Sequence, residues 1–293
     1  MTVAEALALG NVRLREAGIE SAGHDAEVLL RHVLGWDRAR LLVDSARALE
    51  PESEASFLAL LAGRAARRPL QHLTGTQWFW RHQFLVTPDV LIPRPETELI
   101  VETALDRLRE TARPVIVDVG TGSGCIALSL AAERADADVR ATDVSAPALK
   151  VARENASRLG LEARVRFLEG DLLEPVRELF GQIDLVAGNP PYVDPDEAPA
   201  LPPEVGRHEP APALYAPGER YLVYRRLVPQ AAAALKPGGS LLLEIGRGMD
   251  EEVARICEAA GLRVERVVPD LQGIPRTVVA VKPHPARGSP AVD

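Results

Sequence analysis

Cysteine is scarce in this 293-residue chain, which contains only Cys125 and Cys257. Two cysteines are too few for a disulfide framework, and neither has the spacing of a metal ligand. We therefore expect a protein of the reducing cytoplasm with no metal site. Long apolar runs are also missing, and an early acidic residue, Glu5, stands where a signal peptide would carry basic residues. These absences argue against export and membrane insertion.

Positive charge is the second shortage. Lysine occurs only at Lys150, Lys236 and Lys282, so arginine supplies nearly all of the cationic side chains, and the formal net charge is -8. A protein that follows a nucleic acid backbone carries a basic domain or stripe, so this balance counts against a broad DNA or RNA footprint. What remains is a globular composition, 46% hydrophobic and 26% charged, which is sufficient for a sizeable core.

Residues 1–72 are predicted to form a small helical domain. Apolar residues recur there at helical spacing in three stretches, separated by glycine and proline. The third stretch ends in Arg64, Arg67 and Arg68. Basic side chains suit the negative pole at the C-terminus of a helix, and this interpretation is favoured over a patch for a macromolecular partner.

The pattern changes after this domain. Residues 73–93 hold two short aromatic and β-branched runs, which predict a β-hairpin linker. Over residues 94–283, strands alternate with helices, which predicts an α/β fold with a doubly wound, mainly parallel seven-stranded sheet. Residues 194–217 are too long for a plain connector and predict a lid or binding loop. Residues 284–293 are predicted to be a disordered tail.

A glycine-rich turn follows the first strand of the predicted sheet and opens a helix. Its sequence is Gly120-Thr121-Gly122-Ser123-Gly124. Glycines at this place let the backbone approach a ligand at the helix N-terminus. Asp143 ends the next strand and can accept hydrogen bonds from ribose hydroxyls, while Asp171, after the third strand, can bind an adenine amino group or can simply be solvated.

Two cofactor classes compete for this turn. Gly122, Gly124 and Ala127 satisfy a loose dinucleotide fingerprint, which keeps an NAD-dependent oxidoreductase open. Asp118 precedes the glycines by two residues, an arrangement that suits the cationic amino-acid part of S-adenosylmethionine. No set of residues for hydride transfer stands out downstream, so S-adenosylmethionine is favoured.

The most informative stretch follows the fourth predicted strand. Its sequence is Asn189-Pro190-Pro191-Tyr192. The prolines keep the backbone extended and donate no N–H bond, so the segment presents acceptors at the carboxyl end of a parallel strand. The Asn189 side-chain oxygen and the Pro190 carbonyl can accept both N–H bonds of a planar NH2 group, on which Tyr192 can pack. An ordinary proline-rich turn is the alternative.

Together these motifs resemble the class I methyltransferases that act on planar NH2 groups in DNA, RNA or protein. The run Leu-Ile-Pro-Arg-Pro-Glu-Thr-Glu, from Leu91 to Glu98, narrows the resemblance to the PrmC/HemK family. That family methylates the glutamine of the Gly-Gly-Gln tripeptide in class I peptide chain release factors. The resemblance covers essentially the whole chain. A sister family that acts on a ribosomal protein usually differs around Arg94-Pro95-Glu96 and ranks second.

The resemblance implies a Rossmann-like methyltransferase domain, S-adenosylmethionine as cofactor, S-adenosylhomocysteine as product and an N-terminal domain that recognises the substrate. It also implies a cytoplasmic monomer that binds release factors and no nucleic acid. The residues with implied catalytic roles are Asn189, Pro190 and Tyr192. The implied cofactor-binding residues are Asp118, Gly120, Thr121, Gly122, Ser123, Gly124, Asp143, Asp171, Leu172 and Asn189. The implied substrate-binding residues are Asn189, Pro190, Pro191 and Tyr192.

One position departs from the family pattern. Relatives often carry an aromatic residue over the adenine after Asp171, whereas this chain has Leu172 and Leu173, so aliphatic packing is expected. His208, in the long loop, is expected to be a bystander rather than a base. Two further hypotheses stay open. A DNA or RNA amino-methyltransferase would bring a basic groove, and a non-enzymatic binding module would have a damaged cofactor turn.

Overall fold

The structure is a computed structural model that describes residues 1–216 and 218–285. Internal contacts divide the chain into two units. The first contains residues 1–76 and 201–208, and the second contains residues 77–200 and the chain from 209 onward. The domain boundaries proposed from the sequence remain predictions. Most of the predicted tail, residues 286–293, lies outside the described residues.

The first unit is helical. Its N-terminal elements are α1 (Val3–Glu16), α2 (Ala22–Leu34), α3 (Arg38–Val43), α4 (Pro51–Ala65) and α5 (Leu70–Thr74). A capping box starts α1, because the Thr2 hydroxyl accepts the Glu5 N–H at 3.2 Å and the Glu5 carboxylate accepts the Thr2 N–H at 2.7 Å. The helices enclose a core that includes Leu29, Phe57 and Leu61. The six-residue α3 and five-residue α5 were not predicted.

The arginines at the end of α4 form ion pairs inside this unit. Arg64 is 7% exposed and donates to Asp25 at 2.7 Å and to Glu204 at 2.9 Å. Arg67 donates to the other oxygen of Glu204 at 2.9 Å and to the Gly18 carbonyl at 2.8 Å. Neither interpretation from the sequence anticipated these pairs, which attach a part of the long loop to the helical unit.

The second unit contains a hairpin and a seven-stranded sheet. The hairpin strands are β1 (Thr76–Phe79) and β2 (His82–Leu85). The sheet strands are β3 (Val115–Val119), β4 (Asp138–Asp143), β5 (Val165–Glu169), β6 (Ile183–Gly188), β7 (Leu235–Glu244), β8 (Arg263–Pro269) and β9 (Pro275–Val281). Their order is β5-β4-β3-β6-β7-β9-β8. The first five are parallel, and β9 runs antiparallel to both of its neighbours. The predicted sheet is confirmed.

Helices cover both faces of the sheet. The helices that follow the hairpin in sequence are α6 (Glu98–Arg107), α7 (Cys125–Glu133), α8 (Ala146–Leu159), α9 (Pro203–His208), α10 (Ala211–Leu214), α11 (Leu222–Ala234) and α12 (Asp250–Ala259). Of these, α9 belongs to the first unit and the others belong to the second. Neighbouring strand residues point to different cores: Ile116 packs with α6 and α7, whereas Val117 packs with α11 and α12. The hairpin joins the first core, where Phe79 and Phe84 meet edge to face with ring centroids 6.0 Å apart.

Two stretches differ from the prediction. Strand β7 begins at Leu235 rather than Ser240, since Leu235 still pairs with Ile183 and the Pro-Gly-Gly residues between form an irregularity in the ladder. The long loop, residues 194–217, contains a 3-10 helix (Pro195–Ala200) as well as α9 and α10. Proline occupies the first position of the 3-10 helix and of α9, where its fixed φ favours a helix start, so a proline-rich sequence here is partly helical.

The sheet order reverses at β3 and β6, whose carboxyl ends are adjacent. Val119 pairs with Gly188 at the last position of the ladder. Open α/β sheets bind ligands at this switch point. The glycine turn follows β3, and the Asn-Pro-Pro-Tyr segment follows β6, so the fold brings the two main sequence motifs to one edge.

Candidate active site

The glycine turn adopts a backbone that other residues would strain. Gly120, Gly122 and Gly124 have φ angles of 69°, 54° and 84°. Two hydrogen bonds hold the turn to the end of β4, because the N–H groups of Gly120 and Thr121 donate to the Thr142 carbonyl at 2.9 Å and 3.0 Å. The turn is therefore built into the sheet edge.

Asp118 stabilises the glycine turn and the start of α7 through hydrogen bonds. Its Oδ2 accepts the Thr121 hydroxyl at 2.6 Å and the Ala127 N–H at 3.2 Å. Its Oδ1 is buried without a hydrogen-bond partner among the described residues. Burial raises the pKa of Asp118 to about 7. The carboxylate braces the first turn of α7, and a direct bond to a cofactor stays a prediction.

Asp143 closes the other side of the turn. Its carboxylate accepts the Gly122 N–H and the Ser145 N–H, both at 2.9 Å. Burial raises its pKa. Each carboxylate oxygen has a second lone pair, so Asp143 can still accept hydrogen bonds from a ligand.

A cavity of about 380 Å³ lies at this edge of the sheet. Its volume is in the range of small-molecule sites. Predicted cofactor residues that line it are Gly120, Thr121, Gly122, Ser123, Asp143, Asp171, Leu172 and Asn189. Pro191 also lines the cavity. Of the other residues discussed from the sequence, Asp118, Gly124, Pro190, Tyr192 and His208 are not among the described residues that line it. The wall therefore contains most of the predicted set, and the remaining members lie outside it.

Asp171 and Leu172 form part of the wall with constraints of their own. The Asp171 carboxylate pairs with Arg226, which also lines the cavity. Leu172 has a φ of 50°, and its carbonyl accepts the Thr142 hydroxyl at 2.8 Å. Since Arg226 already binds the carboxylate, the predicted adenine contact of Asp171 would share it with a cation.

Asn189 is the partly buried end of a chain of hydrogen bonds that leads to a buried carboxylate. Its Nδ2 donates to the Thr97 hydroxyl at 3.3 Å, and that hydroxyl donates to Glu244 Oε2 at 2.6 Å. Burial raises the pKa of Glu244 to about 7. Thr97 and Glu244 were not among the site residues predicted from the sequence. The available signals were a carboxylate at the end of an apolar strand and the place of Thr97 inside the Leu91-to-Glu98 motif.

Tyr192 packs against a glycine. A Cβ atom at Gly246 would lie 2.9 Å from Tyr192 Cδ2 and 2.9 Å from Met249 Sδ. Burial raises the pKa of the Tyr192 phenol, so the ring is neutral at physiological pH. The ring position therefore depends on the missing side chain at Gly246.

Glu209 joins two segments of the cavity wall. One oxygen of its buried carboxylate binds Arg94 Nη2 at 2.5 Å, and the other accepts the Ile92 N–H at 3.2 Å. Segments on either side, residues 89–94 and 210–215, contribute lining residues. Glu209 therefore connects two segments that contribute to the cavity wall, a role that no sequence pattern indicated.

Neither a cluster of metal-ligating side chains nor a membrane-spanning helix occurs in the described residues. No group of three or more His, Cys, Asp or Glu side chains in residues 1–216 and 218–285 could hold a metal ion. Within the same residues, no helix combines the length and hydropathy needed to cross a membrane.

The strand order, the glycine turn after β3 and the acceptor segment after β6 define a class I S-adenosylmethionine-dependent methyltransferase. Two family descriptions match the chain: "PrmC N-terminal domain" over residues 5–75 and "Methyltransferase small domain" over residues 96–201.

Relatives extend over nearly the whole chain. A release factor glutamine methyltransferase of Cereibacter sphaeroides is 45% identical over 97% of this chain and 99% of its own. One of Moorella thermoacetica is 44% identical over 96% and 99%. The chain belongs to the release factor glutamine methyltransferase family. Its cofactor is S-adenosylmethionine.

Among solved structures, a release factor-specific protein-(glutamine-N5) methyltransferase from Alicyclobacillus acidocaldarius is 30% identical and covers 69% of this chain and 100% of its own, with a TM-score of 0.40. A score at this level does not establish a shared fold, so the fold assignment stands on the strand order and the site.

Proposed function

We propose that this protein transfers a methyl group from S-adenosylmethionine to the side-chain amide nitrogen of the glutamine in the Gly-Gly-Gln tripeptide of class I release factors. The observation that carries the proposal is the state of Asn189 at the cavity edge. Its Nδ2 is engaged by Thr97, which leaves Oδ1 as the group available to an incoming NH2. The names of the full-length relatives support release factors as the substrate class.

An amide nitrogen is a poor nucleophile, because its lone pair is delocalised into the carbonyl. S-adenosylmethionine, when bound, would supply an electrophilic methyl group, and the electrons of the broken S–C bond would stay on the neutral thioether S-adenosylhomocysteine. Once the new N–C bond has formed, the acceptor nitrogen gives up one of its two N–H protons to solvent. Asn189 Oδ1 and the Pro190 carbonyl accept the two N–H bonds of the acceptor amide, which orients its nitrogen. Both acceptors also stabilise the positive charge that develops on that nitrogen. Tyr192, neutral and packed on Gly246, restricts the plane of the amide.

The residues around the cavity fit the cofactor. A Cβ atom built on Gly120 or Gly122 would have no atom within 4 Å, so the turn leaves room for a ligand close to the backbone. Asp143 would bind the ribose hydroxyls, and Leu172 would offer an aliphatic surface to the adenine. Asp118, through Thr121 and its unpartnered Oδ1, is the acidic group for the cationic amino-acid end.

The setting of this activity is also proposed. The helical N-terminal domain would recognise the release factor, and the enzyme would act as a cytoplasmic monomer without binding nucleic acid. The acidic net charge of -8 supports the last point.

Asn189→Ala tests the mechanism. We expect methyl transfer to fall by at least about 100-fold, as for loss of a group that stabilises transition-state charge. Cofactor affinity, measured by titration calorimetry, should change little. Gln182→Ala, on an exposed residue before the amino end of β6, is the control and should retain activity. Full activity in the Asn189 variant would refute the mechanism.

A further inference from the structure

Asn189 is connected to a buried acid through one hydroxyl. Thr97 and Glu244 are only 3% and 2% exposed, so water cannot readily replace either partner. The Asn189 Nδ2–Thr97 Oγ1 distance is 3.3 Å and the Thr97 Oγ1–Glu244 Oε2 distance is 2.6 Å. The Asn189 amide also lowers the pKa of the Glu244 carboxyl group slightly, against the larger effect of burial. The chain ends at the side-chain amide that the proposed function places against the substrate.

The direction of these hydrogen bonds follows from the chemistry of the three groups. An ionised carboxylate can only accept, and a threonine hydroxyl has a single proton. That proton goes to Glu244, so the Thr97 oxygen remains as an acceptor and selects the NH2 end of Asn189. The amide oxygen must then face away from Thr97. Shape alone would not choose, because the two ends of an amide are nearly the same size.

We propose that Thr97 and Glu244 are positioning residues that hold the Asn189 amide with its oxygen toward the acceptor NH2 of the substrate. This inference rests on the proposed function. A reversed amide would place one NH2 group against another, and the acceptor nitrogen would lose a hydrogen bond that orients it.

The orientation of the Asn189 amide depends on the negative charge of Glu244. Once protonated, Glu244 can donate to Thr97, and the threonine proton becomes free to bond Asn189 Oδ1, which removes the preference. Two charged groups act on Glu244. Arg276, which is itself paired with Asp270 at 2.9 Å, favours the ionised form of Glu244, and Glu96 disfavours that form. The Tyr192 and Tyr224 phenols and the Cys125 thiol also lie in the field of Glu244 and are neutral at pH 7.

The pH dependence has a definite sign. Burial raises the pKa of Glu244 to about 7, so the ionised form predominates only above that value. Methyl transfer by the wild-type enzyme should therefore decline as the pH falls through about 7. Replacement of Glu244 by glutamine removes one of the two groups that titrate near this pH, so the acid limb should become shallower, and the part that Asp118 contributes should persist.

The test compares kcat and KM for transfer of labelled methyl from S-adenosylmethionine to a purified release factor across this pH range. We expect Glu244→Gln and Thr97→Val to lower kcat by about 10- to 100-fold, as is usual for residues that orient a functional group. Cofactor affinity should be unchanged. Thr97→Ser restores the hydroxyl and should recover most of the rate. Thr97 directly precedes α6. Thr103→Val, at a second buried threonine that lies within α6, is the matched control and should behave as wild type.

Two results would overturn the inference. One is a Thr97→Val enzyme with the wild-type kcat and acid limb. The other is a loss of cofactor affinity parallel to the loss of kcat, which would indicate structural damage. Asn189→Ala separates this inference from the proposed function. An active Asn189→Ala enzyme would refute both, whereas an inactive one beside an active Thr97→Val enzyme would refute only the positioning role.

Discussion

Gly246 leaves the space that the ring of Tyr192, a proposed catalytic residue, occupies. In Gly246→Ala the new methyl group would lie 2.9 Å from the ring of Tyr192, so the ring or the backbone must move. We expect lower methyl transfer with a smaller effect on cofactor binding, measured by labelled transfer and calorimetry. Gly23→Ala on α2 is the control, because its Cβ would be at an ordinary 3.6 Å from the nearest atom. Equal activities in the two variants would contradict the packing argument.

Asp118 should leave a trace in the pH dependence of stability. Its pKa rises from 3.8 in the ordinary state to about 7 in the folded protein. The folded state therefore holds the proton to a higher pH, and its contribution to stability is present at low pH and lost as the pH rises through about 7. Between the unfolded pKa of 3.8 and the folded pKa of about 7, the free energy of unfolding of the wild-type protein should fall as the pH rises. In Asp118→Asn this slope should be smaller by up to about 1.4 kcal/mol per pH unit.

Urea denaturation at several pH values measures this slope. Glu244 shifts in the same direction, so part of the slope should persist in Asp118→Asn and disappear only in the double variant with Glu244→Gln. A slope identical to that of the wild-type protein would show that Asp118 does not titrate in this range.

Some site residues could be predicted from the sequence and others could not. The glycines, Asp143 and Asn189 could be placed because each follows a strand in a recognisable local pattern. Thr97 and Glu244 lie 147 residues apart, and only the sheet order brings them together. Glu209 is 115 residues from Arg94, and nothing local indicates the pair.

At the scale of elements, the cavity wall depends on the Glu209 contacts. In Glu209→Gln, the partly exposed Arg94 would lose a charged partner that is itself buried, which is costly. We expect cofactor affinity to weaken by about 10-fold, or about 1.4 kcal/mol, with kcat at saturation little changed. Stopped-flow and calorimetric measurements separate release rate from affinity.

Glu219→Gln provides the comparison. Glu219 pairs with Arg225 on the surface, where both side chains are about half exposed, and such pairs contribute little. Equal cofactor affinities in the two variants would show that the wall does not need the Glu209 contacts.

Long elements were predictable and short ones were not. The alternation of buried strands with helices of nine or more residues predicted the parallel sheet, because both periodicities span enough residues to be distinguished. Helices of four to six residues, such as α3 and α10, are too short to show a periodicity. The early start of β7 was hidden by Pro237, Gly238 and Gly239, which indicated a turn although the ladder continues past them.

At the scale of the whole molecule, the two units are not two consecutive halves of the sequence. Residues 201–208 belong to the helical unit, where Glu204 binds Arg64 and Arg67 from 140 and 137 residues away. No local pattern could predict this, since the partners are remote in sequence and the intervening chain contains four of the seven strands of the sheet, β3 to β6.

The most direct test of the account is transfer of a labelled methyl group from S-adenosylmethionine to a purified class I release factor, beside a variant with the tripeptide glutamine changed to alanine and beside duplex DNA. We predict label on the wild-type factor and none on the variant or the DNA. Label on the variant factor or on DNA, or none on the wild-type factor by an enzyme that binds the cofactor, would contradict it.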